Sequence, residues 1–159
     1  MWTGLSSREK KIRMNNARDW KDEQIRNGNF KVYLTAKFNS YKHSAKEKNV
    51  PFNLSIKYLV NLFDMQKRLC YYTGKPLIIR SNRGLGEKCI TLPDCHYQAS
   101  LDRLIPREGY VEGNVVWCGW LINTCKNLLT ESEFYDICNV IVKQREFRMV
   151  SEPCNSLDA

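Results

Sequence analysis

Apolar residues recur at helical spacing in several stretches of the chain, and capping signals stand at the start of the first. Ser6 and Glu9 have the spacing of a capping box, in which each side chain satisfies a free backbone N–H of the other residue. The pattern predicts a helix that continues to about Asn27 and ends at Gly28. Its apolar face is thin, so this helix is expected to lean on a core or on a partner.

Three further helices follow from the same periodicity. A helix over residues 30–48 places four apolar residues on one face: Leu34, Phe38, Tyr41 and Ala45. Ser55 is a suitable cap for a third helix, with four inward residues: Ile56, Leu59, Val60 and Phe63. Thr130 and Glu133 form a second capping-box pattern before a last helix, whose inward residues are predicted to be Phe134, Ile137, Cys138 and Ile141.

The middle of the chain alternates short strand-like runs with turn residues. Residues 70–77 indicate a strand-turn-strand hairpin, and residues 80–95 a flexible loop rich in glycine. Residues 98–103 and 114–118 indicate two strands, and residues 119–128 a helix. The predicted fold class is α+β. Its domain organisation is a basic helical arm at 1–50, a domain at 51–150 and a loose C-terminal tail at 151–159.

Positive charge is concentrated in the first third of the chain. Residues 1–50 hold 12 Lys and Arg against 5 Asp and Glu, a net +7, whereas the remaining residues have a net +1. Such an excess favours a polyanionic partner, because neutralised phosphates release counterions. We expect Lys37, Lys42 and Lys46 to contact the DNA backbone, which positions a protein without specifying sequence. The alternative is a solvated arm that only aids solubility.

The cysteines and the lack of long apolar runs argue against a structural zinc site and against a membrane protein. The seven cysteines are odd in number and no two have the Cys-x-x-Cys spacing, so no structural zinc is expected. We expect reduced thiols in a cytoplasm. The sequence shows neither a signal-peptide pattern nor a membrane-spanning run, so no membrane partner is predicted.

Candidate metal chemistry lies in the last third of the chain. Asp102 ends a predicted strand, and Asn123 lies in the following helix. Together they offer two hard oxygen ligands for Mg²⁺ or Mn²⁺. Lys126 lies three residues beyond Asn123 on the same helical face and is expected to hold a phosphate. The alternatives are a surface carboxylate paired with Arg103 or Arg107, and an ordinary polar helix surface.

The ordered motifs resemble the HNH endonuclease family, and more closely its phage-type members. They comprise Cys-x-x-Thr-Gly-x-Pro-Leu at 70–77, Ser-Leu-Asp-Arg at 100–103, Gly-Tyr at 109–110, Gly-Asn-Val at 113–115, and Asn123 with Lys126. The resemblance covers residues 30–140. It implies a small ββα-metal core with a preceding β-hairpin and flanking helices, acting on double-stranded DNA in a bacterial host cytoplasm.

One departure from that family concerns the general base. Typical HNH enzymes have a histidine after the aspartate, where this chain has Arg103. Arginine stays protonated and is a poor base, so we expect it to clamp the scissile phosphate or stabilise the transition state. The base is then a metal-bound hydroxide or another side chain. His96 shares the strand parity of Asp102 if the strand reaches back that far, and its alternative is a loop histidine.

Two further residues complete the candidate site and its surroundings. Asn114 is predicted to tie the loop before the second strand to that strand by side-chain hydrogen bonds, or else to be a simple turn asparagine. His43 stands among the lysines of the arm and is expected to face phosphate or solvent.

The sequence therefore predicts a divalent-metal-dependent DNA endonuclease of HNH type, with limited sequence specificity. The alternative is a non-catalytic nucleic-acid-binding protein, or a protein-binding regulator, that keeps the HNH-like scaffold. The missing histidine is the main support for that alternative.

Overall fold

The computed structural model describes residues 6–80 and 96–151 and has an α+β architecture, which confirms the predicted fold class. Within these described residues, five named helices surround one antiparallel pair of strands. The helices are α1 (Ser7–Arg26), α2 (Phe30–Glu47), α3 (Ile56–Met65), α4 (Trp120–Lys126) and α5 (Glu131–Ser151). The strands are β1 (Ala99–Arg103) and β2 (Val115–Gly119), and a 3₁₀ turn at Pro106–Glu108 lies in the loop between them. Of the loop predicted at 80–95 and the tail predicted at 151–159, residues 81–95 and 152–159 lie outside the described residues.

Local capping signals determine where the helices begin. The Ser6–Glu9 capping box is formed, with the Glu9 N–H donating to Ser6 Oγ and the Ser6 N–H donating to the Glu9 carboxylate. Thr130 and Glu133 make the same reciprocal bonds before α5. The Ser55 side chain accepts from the Tyr58 N–H at the start of α3. Each bond satisfies a backbone group that a helix end leaves free, so these predicted starts are confirmed.

β1 and β2 form a ribbon whose register puts Asp102 opposite Val116 and Arg103 opposite Val115. Every residue of β2 is buried, and Trp117 at its centre has no exposed surface. The Gln66 side chain contacts the backbone of Trp117 from the other side, accepting from its N–H at 2.8 Å and donating to its carbonyl oxygen at 3.0 Å. The Gln66 amide thereby satisfies the backbone hydrogen-bonding groups of Trp117 at this edge of β2, as a third strand would.

The core is an aromatic cluster built around Trp117. Phe30 of α2 and Phe63 of α3 are stacked with ring centroids 3.7 Å apart, and both meet Trp117 edge-on. The Tyr33 hydroxyl donates to the Ala99 carbonyl oxygen at 2.6 Å and fastens α2 to β1. Aromatic edge-to-face contacts add to the free energy gained from burial alone.

The core includes α2, which sequence analysis assigned to the arm at 1–50. Phe30, Tyr33, Leu34 and Ala45 are buried with residues of α3, β1 and β2. By contrast, Ile25 is the only buried residue of α1. The division at residue 50 therefore cuts through a shared core, and of the two helices before residue 50 only α1 projects from it.

The hairpin predicted at 70–77 is a tight turn closed by one antiparallel bridge, between Leu69 and Pro76. The Cys70 N–H donates to the Lys75 carbonyl oxygen, and the Gly74 N–H donates back to Cys70. The Tyr71 N–H donates to the Trp117 carbonyl oxygen at 3.0 Å, which attaches the turn to β2. This attachment brings Tyr72 next to β1.

The predicted inward face of α5 is wrong for most of its length. Phe134 is buried against Tyr72, with ring centroids 5.7 Å apart. Ile137 and Ile141 are exposed, and Cys138 is half-buried. Periodicity predicted the correct helical stripe, but past its first turn this helix extends beyond the elements that would cover the stripe. None of the described helices is long and apolar enough to cross a membrane.

Candidate functional site

Asp102 lies in the interior of the molecule, where its carboxylate has two partners. The side chain is 3% exposed. The Tyr72 hydroxyl donates to Oδ2 at 2.7 Å, and Lys126 Nζ lies 3.2 Å from Oδ2 and 3.4 Å from Oδ1. A buried carboxylate requires such partners, because burial removes the water that would otherwise stabilise its charge.

Lys126 is the most completely buried charged residue among those described, with no exposed surface. It comes from the last turn of α4, and its ammonium also donates to the Arg103 carbonyl oxygen at 2.8 Å. The ammonium therefore joins α4 to β1 through Asp102 and the adjacent peptide. This position differs from the phosphate-binding role predicted from sequence, since no surface of Lys126 is open to a ligand.

Tyr72 and Cys118 complete the surroundings of Asp102. Burial and the hydrogen bond to Asp102 raise the pKa of Tyr72 far above its usual value. Burial and the nearby Asp102 charge likewise raise the pKa of the Cys118 thiol. Both groups therefore stay neutral at physiological pH. Lys126 remains the cation that balances the carboxylate.

Asn123, the second predicted metal ligand, is turned toward β1. Its amide nitrogen donates to Ser100 Oγ at 2.8 Å and to the Leu101 carbonyl oxygen at 3.1 Å. These bonds hold α4 against the strand. The amide therefore provides a second link between α4 and β1, beside the Lys126 ion pair.

This donor set does not fit a Mg²⁺ or Mn²⁺ site in the observed geometry. Mg²⁺ is usually bound through one or two carboxylates together with waters and substrate phosphates, so a site of this kind requires a carboxylate oxygen that is free to coordinate. Here one carboxylate is already neutralised by Lys126 and hydrogen-bonded by Tyr72. A divalent ion on Asp102 would require Lys126 to leave its buried position.

Arg103 is buried beside the ion pair but has a different environment. Its side chain is 7% exposed, Nη1 donates to the Pro106 carbonyl oxygen at 2.9 Å, and Cζ lies 5.0 Å from the Tyr110 ring centroid. None of the described carboxylates forms an ion pair with it. Its buried nitrogen atoms have hydrogen-bond partners, so the side chain is satisfied as a donor while its positive charge is not paired with any of these carboxylates.

The guanidinium lines a cleft of about 770 Å³ at the surface, which we term the basic cleft. Three cationic residues and several apolar ones form its walls: Lys48, Val50, Arg103, Ile105, Pro106, Arg107, Leu128, Thr130 and Glu133. Desolvation and the positive charge of Arg103 lower the pKa of Lys48. The carboxylate of Glu133 is occupied by the Thr130 N–H and hydroxyl at 2.7 and 2.8 Å. The cationic side chains therefore dominate the cleft.

Asn114 shapes the loop that forms one wall of the basic cleft. Its Oδ1 accepts from the Ile105 N–H at 3.0 Å, and its Nδ2 donates to the carbonyl oxygens of Ile105 and Gly109, both at 2.9 Å. Gly109 has φ +79°, and a Cβ there would collide with the Pro51 carbonyl oxygen. Together these constraints fix the turn that presents the Pro106 carbonyl oxygen to Arg103.

The two histidines lie apart from Asp102. β1 begins at Ala99 and does not reach back to His96, so the parity argument that aligned His96 with Asp102 does not hold. The backbone of His96 packs beside Gly119, which pairs with Ala99 at the far end of the ribbon, on the order of 10 Å along the strand from Asp102. His43 is exposed on α2 and pairs with Glu47 at 3.2 Å.

The lysines predicted to contact DNA divide between two faces of α2. Lys42 and Lys46 are exposed, and Lys31 lies on the same stripe at helical spacing. Lys42 Nζ sits 5.1 Å from the Phe38 ring centroid. Lys37 is half-buried on the other side, with Nζ 5.9 Å from the Tyr33 ring centroid. The exposed face, which we term the lysine stripe, consists of Lys31, Lys42 and Lys46.

No role in the site was predicted from the sequence for Tyr72, Lys48 or Arg107. Tyr72 lies within the 70–77 motif, but nothing in that motif indicates contact with a carboxylate 30 residues away. Lys48 and Arg107 are 59 residues apart in the sequence, and only the folded loop brings them to one cleft. The sequence signal for this cleft was that Lys48 stands shortly before Pro51 and Arg107 directly after Pro106.

No protein-family model, curated protein or solved structure matches this chain. The resemblance to HNH endonucleases therefore depends on the motifs in the sequence and remains a hypothesis.

Proposed function

We propose that this protein binds DNA through the lysine stripe and the basic cleft, on an HNH-like scaffold that does not perform metal-dependent cleavage at Asp102. The observation that carries the proposal is the buried Arg103 guanidinium, which lacks a counter-ion among the described carboxylates and shares its cleft with Lys48 and Arg107. A phosphate group supplies the missing negative charge and matches the hydrogen-bonding geometry of a guanidinium.

A polymeric ligand is favoured over a small anion because α2 carries further exposed cations besides the one that lines the cleft. Lys48 is the C-terminal cap of α2, the helix that carries the lysine stripe. Lys46 lies two residues earlier and is exposed. Residues two positions apart on a helix point to different sides, so the lysine stripe and the basic cleft are two separate sets of cations, and a backbone of repeated phosphates is long enough to reach both. Contacts of this kind position DNA without reading its sequence.

The Asp102–Lys126 pair has a structural role in this proposal. It joins β1 to α4, and Asn123 and Asn114 fasten the neighbouring peptide groups. The same residues that resemble a nuclease motif thus act as the internal connections of the ββα unit. This assignment explains why arginine is compatible with the position after Asp102, since no general base is needed there.

The HNH endonuclease remains the second candidate, because the elements β1, loop, β2 and α4 follow one another in the order that the resemblance implies. In that case Lys126 must release Asp102 when Mg²⁺ or Mn²⁺ binds. A plasmid-nicking assay with and without Mg²⁺ separates the two candidates. We expect no nicking; cleavage that requires Mg²⁺ and disappears in Asp102→Ala would establish the endonuclease instead.

The binding proposal is tested in EDTA by fluorescence anisotropy with a labelled duplex over a salt series. Replacing Lys48 and Arg107 by Ala should weaken binding and reduce the log–log salt slope by up to about 2, since each phosphate contact contributes about 0.9. Arg68→Ala is a control that removes an exposed cation distant in sequence from the cleft and paired with Asp64. Absence of DNA binding at every salt concentration would favour a protein-binding regulator.

A further inference from the structure

The basic cleft carries more positive charge than a single backbone phosphate neutralises. Three cationic residues line it, Lys48, Arg103 and Arg107, and Glu133 is its one carboxylate, which leaves a net charge of +2. Hydrogen bonds from Thr130 lower the pKa of Glu133, so this carboxylate stays ionised at physiological pH. A phosphate inside a DNA strand has one negative charge, whereas a terminal phosphate is a monoester with about −1.5 to −2 at pH 7. The charge of the cleft therefore matches a terminal phosphate.

The position of Arg103 favours a ligand that reaches into the cleft. Its side chain is 7% exposed and donates to the Pro106 carbonyl oxygen, whereas Lys48 and Arg107 are exposed. The two exposed cations can bind phosphate oxygens directly, while Arg103 adds positive charge from the interior. A terminal phosphate has three free oxygens and only one link to the strand. It can enter such a recess more easily than an internal phosphate, which continues into a nucleotide on either side.

Apolar side chains line the same cleft beside the cations. Val50 and Ile105 are half-buried, and Leu128 is 68% exposed. The sides of a DNA duplex present phosphates, sugars and base edges, but an end also presents the flat apolar face of its last base pair. Leu and Ile side chains pack against such faces in proteins that separate neighbouring base pairs. Apolar and cationic groups in one cleft thus fit the end of a duplex better than its side.

We propose that the basic cleft binds the terminal phosphate of a DNA strand in preference to an internal phosphate. Lys48 and Arg107 bind the phosphate oxygens, and Ile105 and Leu128 contact the last base pair. The lysine stripe binds internal phosphates of the same DNA. This inference rests on the proposed function, because it assigns the kind of DNA that the cleft accepts. The protein then favours broken DNA over continuous DNA.

Fluorescence anisotropy in EDTA tests the inference with DNA hairpins that have one blunt end and a label in the loop. The end carries either two hydroxyls, a 5′-phosphate or a 3′-phosphate, and a dumbbell with the same stem has no end. We expect at least one phosphorylated hairpin to bind about tenfold more tightly than the hydroxyl-ended one, the scale of an additional charge-assisted hydrogen bond. The comparison of the two phosphorylated hairpins identifies which strand end the cleft accepts.

Two variants that lose the same charge assign the preference to the cleft. Replacing Lys48 and Arg107 by Ala should remove most of the difference between the phosphorylated and hydroxyl-ended hairpins. Replacing Lys42 and Lys46 by Ala, on the lysine stripe, should weaken binding to every DNA alike and keep that difference. All four side chains are exposed, so circular dichroism should show the natural helix content for both variants.

Leu128→Asn tests the contact with the last base pair. The substitution replaces an exposed apolar side chain by a polar one of similar size. It should weaken binding to the phosphorylated hairpin more than binding to the dumbbell. Equal weakening of the two would contradict the contact between the cleft and a terminal base pair.

The failure of this inference is distinguishable from the failure of the proposed function. Equal affinities of the phosphorylated and hydroxyl-ended hairpins would overturn the inference, while binding to the dumbbell would show that the proposed function stands. A preference that survives the loss of Lys48 and Arg107 would place the end-binding site outside the basic cleft. Absence of binding to every DNA would reject the proposed function and this inference with it.

Discussion

The Asp102–Lys126 pair shows at the scale of single residues what burial does to a motif. Sequence spacing placed Asn123 and Lys126 on one face of a helix and Asp102 at the end of a strand, and the structure has those placements. The spacing could not indicate that the ammonium points inward, since the two residues are 24 positions apart. Burial determines that the ammonium points toward Asp102, because a carboxylate and an ammonium enclosed together must neutralise each other.

Replacement of Lys126 by Met should destabilise the protein strongly. The substitution retains the apolar length of the side chain but leaves the Asp102 carboxylate buried beside Tyr72 alone. Breaking one partner of a buried pair costs on the order of 3–5 kcal/mol of unfolding free energy. Urea denaturation monitored by Trp fluorescence measures the loss.

The double variant Lys126→Met with Asp102→Asn separates charge from packing. It removes the uncompensated carboxylate, so it should recover most of the stability lost in Lys126→Met. A double variant no more stable than the single one would mean that packing around Lys126, rather than its charge, holds α4 to β1.

Ionisation of the buried Tyr33 should lower the stability of the protein in alkaline solution. Burial raises the pKa of Tyr33 from its usual value near 10 to about 12. The folded state therefore favours the neutral phenol. The neutral phenol contributes about 2–3 kcal/mol to the free energy of unfolding. This contribution is fully present below about pH 10 and is lost as the pH rises through about 12. Urea midpoints measured across this window should fall.

Tyr33→Phe provides the comparison for this alkaline loss. The variant loses the hydrogen bond to Ala99, at a cost of about 1 kcal/mol, but it cannot ionise at this position. Its stability should therefore decline less steeply between about pH 10 and 12. Parallel declines for the two proteins would show that other groups govern alkaline unfolding.

At the scale of elements, local chemistry predicted the helices well and their partners poorly. Capping boxes depend on residues three positions apart, so Ser6 with Glu9 and Thr130 with Glu133 identified helix starts directly. The apolar stripe of α5 was equally visible, yet only Phe134 is buried. Periodicity states which side of a helix is apolar, whereas burial depends on what stands opposite it.

The two faces of α2 give a prediction at this scale. Lys42→Ala with Lys46→Ala should flatten the salt slope of DNA binding by up to about 2, because both side chains are exposed on the lysine stripe. Lys37→Ala should change the slope less, since that residue is half-buried beside Tyr33. Anisotropy titrations over a salt series compare the two proteins.

Circular dichroism verifies that both α2 variants are folded. A larger change for Lys37→Ala than for the Lys42 and Lys46 pair would place the DNA on the opposite side of α2 from the one proposed here.

For the whole molecule, the fold class followed from the alternation of helical and strand-like segments, but the limits of the arm did not. α2 is both the carrier of the lysine stripe and part of the core around Trp117. A composition shift at residue 50 marks where the charge density falls, and charge density is a property of exposed faces. Whether a helix belongs to the core depends instead on its buried face. The end of the charged region and the end of the arm therefore need not fall at the same residue.

The location of charge, rather than its total, should govern DNA binding by the folded molecule. We expect replacement of Lys10, Lys11 and Arg13 by Gln to weaken binding and to flatten its salt slope. These residues are exposed on α1, which projects from the core and shares the excess charge of the first fifty residues. Gln retains much of the side-chain length and helix propensity, so the change is chiefly one of charge.

Replacement of Lys57, Lys67 and Arg68 by Gln is the matched comparison, because it removes the same total charge from exposed positions beyond residue 50. If DNA responded only to net charge, the two triple variants would lose affinity equally through the long-range field. Direct phosphate contacts instead act over about one Debye length, near 8 Å at physiological salt. The α1 variant should therefore show the larger loss at that ionic strength. Equal losses would mean that α1 attracts DNA without touching it, and binding would then depend on α2 and the basic cleft alone.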